Sequence, residues 1–149
     1  MNALCNDSSG CMPRKTIARE KLTRQEQRNL DIEIGFLEGV VGRDPTYFEA
    51  LQILGDNYTR RGRFKEGLKV DEQLSRLRPG DALVQYNLAC SYSLTERFAS
   101  AAQALNRALD LGYRDFKWLS KDPDLAGFRK HSLYKKIRAR IKAMEIKIH

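Results

Sequence analysis

The chain has 149 residues, of which 42% are hydrophobic and 31% charged, with a formal net charge of +8. That length suits one domain with a core of its own, and the composition excludes a disordered chain or a scaffold dependent on disulfides or metal. No apolar run approaches the roughly 20 residues that span a bilayer, so no membrane span is expected.

Residues 1–13 read as a flexible leader of Asn, Asp, Ser and Gly without a hydrophobic period, and no secretion signal is expected there. Met12-Pro13 marks a second candidate start, one that would omit Cys5 and Cys11. The three cysteines are odd in number and lack metal spacing. Cys90 lies inside a helical pattern, where a free thiol is a small core or groove residue. This usage points to a reducing compartment, hence a cytoplasmic protein.

Residues 14–47 form a basic segment followed by a helix. Thr23 and Glu26 have the spacing of a capping box. Leu30, Ile34, Leu37 and Val41 recur at three and four, predicting one buried face and a stop at Gly42. Asp44-Pro45 then opens a second helix, with Asp44 as cap and Phe48, Leu51, Leu54, Gly55 and Tyr58 facing inward. Arg61-Gly62-Arg63 turns the chain, and Phe64 to Leu77 is the next helix, stopped by Pro79-Gly80. Asp81 caps a helix that turns Leu83, Leu88, Ala89 and Tyr92 inward. A turn at Thr95-Glu96-Arg97 precedes Phe98 to Leu111, and Gly112 ends that helix.

Sliding the chain by thirty-four residues places Gly55 on Ala89, Leu54 on Leu88, Tyr58 on Tyr92, Phe64 on Phe98 and Gly67 on Ala101. A period of this length signals stacked helix pairs, and short turns make neighbouring helices antiparallel. Gly55 and Ala89 are small because two helix backbones must approach there.

These residues resemble the tetratricopeptide repeat. Residues 48–81 supply Leu51, Leu54-Gly55, Tyr58, Gly67 and Pro79 of its pattern; residues 82–115 supply Leu88-Ala89, Tyr92, Ala101, Leu105 and Ala108. Asp71, Leu74, Gln85 and Tyr113 depart from it. Gln27 to Val41 with Asp44-Pro45 looks like the second half of an earlier repeat. Residues 116–149, with Trp118-Leu119, Asp122-Pro123-Asp124-Leu125 and Phe128 to Tyr134, resemble the closing segment of many bacterial arrays. The resemblance implies an all-α fold, an α-α superhelix (solenoid) of antiparallel helix pairs, and a protein-binding scaffold or adaptor without cofactor or metal.

It also implies a concave groove lined by Glu49, Gln52, Asp56, Thr59 and Arg60 of one repeat and by Tyr86, Asn87, Cys90 and Ser93 of the next, which would hold a partner peptide or protein. Asn87, Lys117 and Lys121 match in part a carboxylate clamp of the family, but Gln52 and Asp56 do not fit it.

The net charge is +4 over residues 14–28, −1 over 29–129 and +6 over 130–149. Tyr134, Ile137, Ile141, Met144 and Ile148 form one apolar stripe, with Lys135, Lys136, Arg138, Arg140 and Lys142 on the remaining faces as anion-binding candidates. The stripe is expected to pack on the last repeat, or to pair with another copy or protein, while the basic ends offer a nucleic acid or the ribosome, and the basic C-terminal helix also a membrane surface, a place to bind. The near-neutral body argues for the protein-binding reading first. His131 and His149 are the only imidazoles, no catalytic or phosphate-loop motif is present, and no enzymatic activity is expected. Asp71 and Glu72 read as surface charges, and Asp122 and Asp124 as helix caps.

Overall fold

The computed structural model describes residues 5–7, 10–11 and 21–148. The basic stretch 12–20, the remainder of the leader and His149 lie outside the described residues. Two short strands, β1 (Cys5–Asp7) and β2 (Gly10–Cys11), pair antiparallel, which the aperiodic leader sequence did not signal. Every other described element is helical.

Five helices carry the body: α1 (Arg24–Arg43), α2 (Phe48–Arg61), α3 (Phe64–Leu77), α4 (Ala82–Leu94) and α5 (Phe98–Asp110). Each packs on the next in sequence, α4 against α5 most extensively. The turns between them are so short that consecutive helices must run in opposite directions. Thr23 and Glu26 form the expected capping box, and Asp81 accepts from the amides of Leu83 and Val84. The start of α2 differs from expectation. Asp44 closes α1 through its own amide, Thr46 and Tyr47 bond back to it, and the helix begins at Phe48 without a side-chain cap.

The thirty-four-residue spacing recurs in contacts between side chains. Tyr58 donates its hydroxyl to Glu38, and Tyr92, thirty-four further on, donates to Glu72, itself thirty-four past Glu38. The Arg63 guanidinium lies 4.9 Å from the Tyr58 ring centre, and Arg97 lies 5.2 Å from that of Tyr92. Gly62 ends α2 at φ +83°, and Glu96 ends the α4 turn at φ +60°. In both turns the next amide reaches back to the tyrosine carbonyl. The close approach expected at Gly55 is present: a Cβ there would lie 3.2 Å from Val70 Cγ1. Ala89 and Ala101 are fully buried at the next contact.

The four predicted departures from the repeat pattern are structural. Asp71 is not a surface charge; it is buried and accepts the Ser91 hydroxyl across the α3–α4 contact. Buried Gln85 donates to Ser75 Oγ at 2.9 Å and to the Pro79 carbonyl, and accepts from Arg107 at 3.0 Å. A polar seam thus runs through this contact, and Asp71 and Gln85 are both paired, as burial demands. Leu74 fills the core between α2 and α4, and Tyr113 stacks on Tyr86 with ring centres 4.2 Å apart.

The chain then folds back. After α6 (Phe116–Leu119), a 3₁₀ turn at Pro123–Leu125 and α7 (Ala126–Arg129) lie across α4, and α8 (Tyr134–Ile148) packs on α5. Ile137 and Ile141 are buried and Tyr134 and Met144 are half-buried, so these four members of the apolar stripe pack inward.

Candidate functional site

Two surfaces were expected to bind: a groove on α2 and α4, and a basic face on α8. The structure separates the groove residues into two groups. Glu49 and Arg60 are exposed on α2, and Gln52 and Asp56 are half-exposed. Exposed Ile53 joins them, 42% accessible. Glu49 lies 3.9 Å from Arg78, a weak, solvated pair. This face therefore offers one apolar side chain among mixed charges.

Four of the expected groove residues do not line an open surface. Thr59 is buried against the α3 backbone at Gly67, where a Cβ would lie 3.3 Å from its hydroxyl. Tyr86, Cys90 and Ser93 are buried beneath the segment that follows α5. The reason is a buried carboxylate. Asp122 Oδ2 accepts the Tyr86 hydroxyl at 2.7 Å and the Cys90 thiol at 3.7 Å, while Oδ1 accepts the Asp124 amide at 2.9 Å. Arg129 donates to the carbonyls of Leu119 and Asp122, and the Phe128 amide reaches Ser93 Oγ at 3.3 Å. Burial, then the charge of Asp124, pushes the Asp122 carboxyl up to about 6. Burial also raises the Tyr86 phenol well above its ordinary value, so it remains a donor. Asp122 is thus a cap, as expected, and also the anchor of the closing segment, a role its spacing beside Pro123 does not reveal. Asn87 remains half-exposed with its amide oxygen buried.

The basic face of α8 divides as well. Arg140 donates to Asn106 and Asp110 and so ties α8 to α5. Lys135, Lys136, Arg138 and Lys142 are exposed. Arg138 and Lys142, with Lys117, rim a trough of about 350 Å³ floored by Phe116, Leu119, Tyr134 and Ile141. Lys121 is exposed but does not line it. Of the two histidines, His131 accepts the Leu133 amide and packs on the Phe98 ring.

Among the described residues, no group of three His, Cys, Asp or Glu side chains is placed to hold a metal ion. Among the same residues, no helix is long and apolar enough to cross a membrane.

No protein-family model matches the chain. A stretch of 79 residues is 38% identical to a chloroplastic protein of Arabidopsis thaliana, covering 51% of this chain and 24% of that protein. The chain therefore spans about a quarter of the length of this relative.

Proposed function

We propose that the chain is a non-catalytic tetratricopeptide-like scaffold whose helix pairs form a short solenoid and bind a partner protein. The observation that carries this reading is the recurrence, thirty-four residues apart, of Tyr58–Glu38 and Tyr92–Glu72 with their arginines. Chains built this way present surface, because each pair buries its faces only against its neighbours. The partner surface is the open face of α2, Glu49, Gln52, Ile53, Asp56 and Arg60, since the closing segment occupies the α4 portion. The compartment proposed from cysteine usage is the cytoplasm; the likeness to a chloroplastic protein makes a plastid the competing assignment.

A photo-crosslinking residue at position 53 tests the reading in cells. One partner should be captured there, and lost with Arg60→Glu while the circular dichroism spectrum is unchanged. No capture at 53, or capture indifferent to Arg60→Glu, refutes it. Tyr86→Ala is unsuited to this purpose because Tyr86 is a core residue.

The exposed cations of α8 favour a second reading, binding of RNA by the basic end. Such binding weakens steeply with salt. A Lys135→Ala, Lys136→Ala, Lys142→Ala triple variant should then lose RNA retention at low salt, and unchanged retention removes this reading.

A further inference from the structure

α1 exposes two large apolar side chains, Ile32 at 72% and Phe36 at 68%, on the face turned away from its buried Leu30, Ile34 and Leu37. The chain itself shows what ordinarily covers that face. Thirty-four residues after Phe36 stands Val70, 8% exposed, whose Cγ1 lies against Gly55 of α2. A further thirty-four on stands Ala104, fully buried in the α4–α5 core. At the first site the cover is the helix that precedes in sequence, α2 over α3; Ala104 lies in a core to which α4 contributes. At α1 the corresponding place holds no described helix.

The charges around the face select the cover. Helical spacing puts Arg28 and Arg43 on the same side as Ile32 and Phe36. The acidic residues of α1 are engaged elsewhere: Glu26 with Thr23, Asp31 with Arg61, Glu33 with Asn57, Glu38 with Tyr58. The apolar pair is thus flanked by cations. Gly35 has no neighbouring atom within 4 Å, leaving room for a helix to approach. We infer that this face docks an amphipathic helix of a partner protein, with an apolar stripe over Ile32 and Phe36 and acidic side chains toward Arg28 and Arg43. A second copy of α1 or α8 would bring like charges to the same place, which disfavours self-pairing. This surface is distinct from the α2 face proposed above.

The test uses the full chain and two labelled helical peptides with one leucine stripe, flanked in one by Glu and in the other by Lys, read by fluorescence anisotropy. The Glu-flanked peptide should bind about tenfold or more tightly than the Lys-flanked one. Phe36→Ser should weaken it by about tenfold, the scale of a central anchor, and Arg28→Glu with Arg43→Glu should reverse the preference. Arg60→Glu, on the α2 face, should leave binding unchanged. Equal binding of both peptides, or indifference to Phe36→Ser, overturns the inference. So does a fall in the thermal midpoint of Phe36→Ser alone, which would mean that the chain's own N-terminal segment covers the face. A concentration-dependent dimer lost on Phe36→Ser would overturn it in favour of a second copy.

Discussion

Asp122→Ala tests whether one buried carboxylate holds the closing segment on α4. The substitution leaves the Tyr86 hydroxyl, fully buried, without its acceptor. An orphaned buried donor costs about 1–3 kcal/mol. It also removes the acceptor of the Asp124 amide at the start of the 3₁₀ turn, and loss of such a cap costs about 1 kcal/mol. Because the two losses share one side chain they do not add fully, and about 2–3 kcal/mol is expected at about pH 5 or below, where the carboxyl is still protonated. For a chain of this size that lowers the melting temperature by roughly 5–10 °C. Thermal unfolding by circular dichroism, with urea titration for the free energy, measures it. Tyr86→Phe/Asp122→Ala removes donor and acceptor together and should recover part of the loss. A single variant within about 0.5 kcal/mol of the parent, the range of an ordinary surface change, would show that the carboxylate does not anchor the segment.

The same group gives a pH dependence. The folded carboxyl, held up to about 6, binds its proton more tightly than the unfolded one near 4. Its contribution is therefore fully present below about pH 4 and lost as pH rises through about 6, by up to about 3 kcal/mol. Asp122→Asn should flatten that portion of the stability profile, and an unchanged slope contradicts the assignment. Gly55→Leu should destabilise by about 1–3 kcal/mol or more, because Val70 and Asp71 already bound the space; unaltered urea unfolding would deny the close approach. Glu96→Gly should stabilise by about 1 kcal/mol, since a left-handed backbone strains any residue with a Cβ, and a lowered melting temperature would contradict that.

The helical boundaries were legible where the sequence carries a dedicated terminator or cap. Asp81, Gly62 and Gly112 did so, and α3 lies where its apolar spacing put it. Asp44 misled because Asp-Pro suits both a first helical turn and the end of a preceding helix; the backbone chose the second. The repeat spacing showed in Tyr58 and Tyr92, but their partners did not, because a glutamate that meets a phenol across two helices has no local signature. Asp71 and Gln85 looked anomalous for the same reason. Their partners, Ser91 and Ser75, lie on neighbouring helices and are brought together only by packing. Of the α2 candidates, Glu49, Gln52, Asp56 and Arg60 reach the surface as their spacing suggests, and Thr59 does not. Tyr86, Cys90 and Ser93 have the spacing of an open helix face, and nothing near them in sequence announces that a segment thirty-odd residues later will bury it.

That return of the chain over α4 gives the molecule a direction. Asp122, Phe128 and Ile137 are buried in that return, so a helix arriving there would have to displace them. On the α1 side no such plug stands among the described residues. A helix approaching this framework accordingly meets a sealed face at α4 and an open one at α1.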